Sequence, residues 1–167
     1  MKEMVAKALS CLALLAAGLL AGNGQWMLAT STLSYCESVS HGAKGRATCW
    51  NGQCNFRIEA LVKSFETGDL DRDAQMILIT RGAQFPVMTV RMSMPDSALS
   101  GASFACDVEV DFAGRTAKYA RVPFQVSMTG VGMRITGAIP ARSRDFKIDS
   151  ALTELPVLVD VTWRPGY

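Results

Sequence analysis

Residues 104–112, FACDVEVDF, alternate without a break: Phe104, Cys106, Val108, Val110 and Phe112 take one parity, and Asp107, Glu109 and Asp111 take the other. Successive side chains of an extended chain point to opposite faces, so this stretch reads as a strand with one dry and one wet side. A helix would spread the three acids around its circumference. The same period returns along the chain. FRIEALV puts Phe56, Ile58, Ala60 and Val62 opposite Arg57 and Glu59, and PVMTVRMSM puts Met88, Val90, Met92 and Met94 opposite Thr89, Arg91 and Ser93. ARVPFQVSM aligns Ala120, Val122, Phe124, Val126 and Met128, with Pro123 marking an edge or a bulge. VLVDVTW aligns Val157, Val159, Val161 and Trp163, and WMLATSTLSY, GAKGRATCW and GMRITGAI supply further strands.

About eight strands with short connections result. Only DLDRDAQMILI, with Asp69 or Asp71 as N-cap, has a helical pattern. Strands at this spacing predict an antiparallel sandwich or a closed barrel rather than a parallel α/β sheet. An eight-stranded barrel is wide enough to be filled by side chains or to hold one small apolar ligand.

The N-terminus bounds the compartment. Lys2 and Lys7 precede the uncharged run Ala8–Gly22, the layout of a secretory signal peptide over residues 1–24, leaving a single domain over 25–167. The run is short for the ~30 Å hydrocarbon layer, and Cys11 stands too early in it for a lipoprotein cysteine. Export to the periplasm is the expectation. Beyond residue 24 the chain carries 15 basic and 14 acidic residues, 17 and 15 less those at positions 2, 7 and 3. So balanced a surface offers no basic stripe for nucleic acid.

In an oxidising compartment the four remaining cysteines, Cys36, Cys49, Cys54 and Cys106, read as bridges. CWNGQC centres on Asn51-Gly52, the preferred pair for a two-residue type I′ turn. That turn sets Cys49 opposite Cys54, ~4.5 Å apart at Cα, within disulfide reach. Cys36 and Cys106 remain as a second pair, whose connectivity the sequence leaves open.

Read in order, the segments resemble the YceI-like family. SFETGDLDRDAQM resembles its S-x-x-T-G followed by R-D-x-H-L, matched at Ser64, Thr67, Gly68, Arg72 and Asp73. KGRAT, QFPVMTVRM, VEVDFAGRTA and RDFKI with LPVLVDVTW resemble further family segments. The pattern's histidine and leucine are replaced by Gln75 and Met76, and the family's first-strand histidine is missing around Thr30 and Ser31. The resemblance implies an all-β, eight-stranded antiparallel lipocalin-like barrel with one short helix. It implies an exported protein that binds, carries or sequesters an isoprenoid (quinone or polyprenyl lipid), with no cofactor other than that lipid and no catalysis. Transient membrane contact and a homodimer both fit such a role.

On that reading the candidate lipid-binding residues are the inward ones: Phe56, Ile58, Met88, Val90, Met92, Phe104, Val108, Val110, Phe112, Phe124 and Val126. No charge interrupts them, and flexible methionines adapt to a methyl-branched chain. Patterning alone favours a filled core without a ligand; the resemblance favours a lipid. Arg72 either meets a polar ligand head at the barrel mouth or makes an ion pair or cap, and Trp26 and Trp163 either close the cavity ends or are core aromatics. A copper-binding module using Met88, Met92 and Met94 with cysteines or His41 is the alternative, and a ligand-free structural envelope protein is a third. His41 lies beside no nucleophile motif, and the sequence holds no phosphate loop, dinucleotide fingerprint or zincin motif.

Overall fold

The computed structural model describes residues 24–150 and 153–166. The signal segment expected over 1–24 lies, apart from Gly24, outside the described residues. The strands are β1 (Gly24–Tyr35), β2 (Ser38–Ser40), β3 (Lys44–Trp50), β4 (Gln53–Leu61), β5 (Val87–Pro95), β6 (Ser103–Phe112), β7 (Arg115–Met128), β8 (Met133–Ile139) and β9 (Val157–Pro165). They pair antiparallel in the order β1-β3-β4-β5-β6-β7-β8-β9, and β9 returns to pair with β1 from Trp26↔Pro165 to Ser34↔Leu158. That last ladder decides between sandwich and barrel: the sheet closes on itself. The short β2 extends the wall beside the C-terminal end of β1, at Leu33↔Ser40 to Tyr35↔Ser38.

The register puts one parity of each strand inside. Phe56, Met92 and Val108 stand side by side across β4, β5 and β6, as do Ile58, Val90 and Val110. Two bulges reset the phase. In β1 the pairing with β9 skips Ala29, so the inward residues change from Trp26 to Ser31, Leu33 and Tyr35. In β7 the pairing shifts between Cys106↔Val122 and Val108↔Tyr119, with Arg121 in the left-handed region at φ 50°. The inward set before this bulge is therefore Ala117 and Tyr119, and Ala120, expected inside, is exposed. Pro123 lies two residues beyond the bulge. Met128, expected inside at the strand end, is also exposed.

The two ends of the barrel differ. At the hairpin end, Asn51 (φ 50°) and Gly52 (φ 77°) make the expected type I′ turn, and Cys49 and Cys54 are disulfide-bonded with Cα atoms 4.1 Å apart. At the lid end, the 62–86 connection folds over the wall, carrying helix α1 (Leu70–Ile79). Asp69 caps α1, accepting from the Asp71 and Arg72 N–H groups. Asp73 accepts from the Thr67 N–H at 2.8 Å and hydroxyl at 2.7 Å, and Gly68 turns the chain at φ 86°. The 3-10 turn Ser143–Phe146 places Phe146 against the interior from the same end.

The expected second disulfide is not there: Cys36 and Cys106 are free thiols. Cys36 sits in the β1–β2 turn at the lid end, while Cys106 lies inward near the start of β6, six residues before Phe112. The Tyr35 ring touches Phe112, so at ~3.3 Å per residue the two thiols are ~20 Å apart along the barrel, far outside disulfide reach.

Candidate functional site

The inward residues expected to line a lipid are brought together. Phe56, Ile58, Met88, Val90, Met92, Phe104, Val108, Val110, Phe112 and Phe124 are all buried, and Val126, near the end of β7, is half-buried. Among the described residues, no ionised side chain lies among the buried residues of the interior. Phe56 of β4 meets Trp163 of β9 edge-on, with ring centroids 5.0 Å apart. Tyr35 of β1 meets Phe112 of β6, on the opposite wall, also edge-on at 5.0 Å, and Phe146 stacks its edge on Phe112 at 5.4 Å. Between these two aromatic bridges, one step along each strand, lie Ile58, Val90 and Val110. The interior is thus an aliphatic middle section between an aromatic floor and an aromatic roof. Trp163 fits because Gly45 lies beneath it: a Cβ at Gly45 would lie 3.0 Å from the indole and 2.7 Å from the Arg57 carbonyl.

Two polar atoms break this apolar surface. The Tyr35 hydroxyl and the Trp163 indole N–H are buried without a partner among the described residues. Burial, then the neighbouring Cys36, raises the Tyr35 pKa, so the phenol keeps its proton and stays a donor. The surroundings of the two atoms differ. Tyr119 also faces the lid end of the interior and donates to Asp145 Oδ2 at 2.8 Å, which gives Tyr35 a polar neighbourhood. Trp163 is flanked by Phe56, Leu28 and Met133, and its edge-on phenyl is a weak acceptor at most. Periodicity marked Tyr35 only as a candidate strand residue; its unmet hydroxyl has no counterpart in a hydrophobic pattern.

The other candidates fall outside the interior. Arg72 is exposed, 3.6 Å from Glu37, and its backbone N–H completes the α1 cap. It makes an ion pair and serves a cap. Phe85 covers Gly114 and takes the Arg81 guanidinium over its ring at 5.5 Å. The Met88, Met92 and Met94 thioethers are buried, whereas His41 is exposed, its ring 3.3 Å from the Thr32 hydroxyl. The disulfide removes Cys49 and Cys54 as thiolates. Burial, then the Asp107 charge, pushes the Cys106 thiol up to about 11, and burial, then Glu37, raises Cys36, so neither thiol is activated.

On the outer wall a cleft of about 660 Å³ crosses β4 to β7, bounded by Arg57, Arg91, Glu109 and Lys118. Among the described residues, all its charges except Asp107 are already paired. Arg91 bonds Glu109 at 2.7 Å and also Asp111, Lys118 lies 3.6 Å from Glu109, and Arg57 bonds Glu59. Glu109 and Asp111 of the acidic row in FACDVEVDF are thus neutralised by Arg91 and Lys118, while Asp107 accepts from the Arg121 backbone N–H.

No protein-family model matches the chain, and no curated protein matches its sequence. Solved structures do match the fold. BcnA from Burkholderia cenocepacia superposes with a TM-score of 0.65 at 13% identity, over 79% of this chain and 94% of that one. A polyisoprenoid-binding domain from Saccharophagus degradans, implicated in plant cell wall breakdown, gives 0.60 at 14% identity over 84% and 98%. The Campylobacter jejuni YceI protein gives 0.60 at 11% identity over 81% and 84%. The barrel implied by the motif resemblance is the fold of this chain.

Proposed function

We propose that this chain is a member of the YceI-like group that binds an isoprenoid lipid inside its barrel, in the periplasm, after export directed by residues 1–24. The observation that carries the reading is the closed inward face, free of charge among the described residues, which holds the partnerless Tyr35 hydroxyl at the end where Tyr119 bonds Asp145. The shared fold with a polyisoprenoid-binding domain supports it. A hydrocarbon tail gains ~25 cal/mol for each Å² of apolar surface removed from water, from its own surface and from the wall. The tail takes its place among Ile58, Val90 and Val110, and the methionines Met88 and Met92 shift rotamer to admit it. An unpaired buried hydroxyl costs about 1–3 kcal/mol. A ligand whose head carries an oxygen acceptor, as a quinone or a prenol does, removes that cost at Tyr35. Carriage or sequestration needs no bond to break, and the raised thiols and the exposed His41 supply no nucleophile–base pair.

The test is mass spectrometry of lipid extracted from natively purified protein, beside the Val110→Trp variant. Wild type is expected to yield an isoprenoid, and the variant, folded by circular dichroism, much less. Equal lipid in both, or none in either, would overturn the reading. Metal analysis of the same samples separates it from a copper-binding role.

A further inference from the structure

The lining explains a bound lipid but not how it is collected. The hairpin end of the barrel is formed by three connections: the Asn51-Gly52 turn, residues 95–102 and residues 129–132. Asp96 is their single charged residue. Its most exposed apolar side chains are Trp50 (63%) and Val131 (60%), with Met128 beside the same 129–132 hairpin. The outward face of β3 continues from Trp50 through Thr48 to Arg46 and Lys44, all exposed. Arg46 and Arg164 both stand opposite the exposed Met27 in the β3–β1 and β1–β9 ladders, so the two guanidiniums flank one methionine on the outer wall. Among the described residues no carboxylate pairs with Arg46, Arg164 or Lys44, in contrast to Arg57, Arg91 and Arg134, each of which holds an acid.

A mostly apolar tip, with Asp96 its single charge, backed by cations that have no acid partner among the described residues, is the arrangement a bilayer surface fits. Tryptophan favours the interface between headgroup and acyl chain, and apolar faces of peripheral proteins sink ~5–10 Å into that boundary. Arg46 lies four residues from Trp50, ~13 Å along the strand and nearer ~10 Å along an axis tilted by ~40°. With Trp50 and Val131 at the acyl boundary, Arg46 and Arg164 therefore reach the level of the phosphates.

We infer that the hairpin end is a docking face for an anionic bilayer, with Trp50 and Val131 as apolar anchors and Arg46 and Arg164 as headgroup contacts. The inference rests on the carrier reading and deepens it: the lipid enters head-first from the membrane side and Tyr35 receives its head at the far end. A protein partner would need no such graded depth of apolar tip and cationic collar.

The experiment uses the full barrel with vesicles of phosphatidylcholine, with and without about one quarter phosphatidylglycerol. Trp50 is its own reporter, since Trp26 (6% exposed) and Trp163 (0%) are buried. Anionic vesicles are expected to shift the tryptophan emission to the blue, more weakly as salt rises, and neutral vesicles to do so far less. Trp50→Ala abolishes the shift and lowers co-sedimentation. Arg46→Gln with Arg164→Gln lowers anionic-vesicle affinity about thirtyfold, two cations at ~1 kcal/mol each. All three substituted positions are exposed, and circular dichroism verifies that the variants fold. No vesicle association, association that ignores all three substitutions, or a shift arising from self-association detected by sedimentation overturns the proposal. Lipid content is measured on the same preparations. Retained isoprenoid without vesicle binding overturns docking alone, whereas vesicle binding without isoprenoid overturns the carrier reading.

Discussion

The two ends of the barrel solve the same problem by different means. At the lid end the open rim is covered: the 62–86 connection and the Ser143–Phe146 turn lie over it, with a charged, capped helix outside and the Phe146 ring pressed on Phe112 within. At the hairpin end the cover is smaller: a 3-10 turn, Asp96–Ser100, tucks Leu99 into the core. The other two connections are tight turns, one stapled by Cys49–Cys54, and they leave Trp50 and Val131 in solvent. The lid end is thus held mainly by long-range packing, and the hairpin end by local turn geometry, one covalent bond and the buried Leu99. Stability is therefore concentrated at the lid, whereas the hairpin end is free to carry surface chosen for contact.

The sharpest way to break this contrast is to remove the packing at one end and the exposed aromatic at the other. Phe146→Ala is expected to cost about 3–5 kcal/mol, because a fully buried ring is lost and the roof over Phe112 is left hollow. Trp50→Ala should change the urea midpoint little, within about 0.5 kcal/mol. Comparable losses in the two variants would dissolve the distinction. Replacing Cys49 and Cys54 by serine should cost about 2 kcal/mol, the closure entropy of a short loop. Hydrogen exchange should then rise around Asn51 and leave the lid unchanged. Exchange spreading to α1 would mean that the ends are coupled.

Much of this architecture is legible in the chain. The strand phases of β4, β5, β6 and β9, the Asn51-Gly52 turn and the Cys49–Cys54 bond follow from local rules of period and turn type. The phases of β1 and β7 do not, because a bulge is one residue of slippage between partners. Ala29 and Arg121 look like any other residues until their strands are paired. The turn at Cys36 and Glu37 was equally hidden: both adopt positive φ, 50° and 62°, without the glycine or asparagine that announces such a turn. Cys106 looked like half of a bridge because an even count says nothing about which end of a barrel each thiol occupies. In the site, the apolar lining was readable from parity, but the partnerless donors at Tyr35 and Trp163 were not, since only the closed barrel shows which polar atoms lose their water.

Tyr35 supplies a smaller, two-sided effect. Tyr35→Phe should stabilise the ligand-free barrel by about 1 kcal/mol, since an unpaired buried hydroxyl is removed. The same change should weaken binding of a quinone more than that of a saturated hydrocarbon of equal length. Loss of stability with unchanged quinone affinity would place the hydroxyl in the scaffold alone. The smallest effect belongs to the wall between the ends. The Arg134 hydrogen bonds, then its charge, hold the Asp160 carboxyl below its ordinary 3.8. The folded pKa is depressed, so this contribution is complete above the ordinary value and is lost as pH falls through the folded one. Both side chains are largely exposed, so Asp160→Asn should flatten the acid limb of the stability profile only slightly.

The most direct test is methyl NMR of methionine-labelled protein during addition of a water-dispersed short-chain quinone. Met88 and Met92 face the interior, whereas Met27 and Met128 are exposed on the outside. Saturable shifts of the Met88 and Met92 methyls, with Met27 and Met128 unmoved, are the predicted result. Shifts confined to Met27 and Met128, or an interior that does not respond at any concentration, would contradict a lipid held inside the barrel.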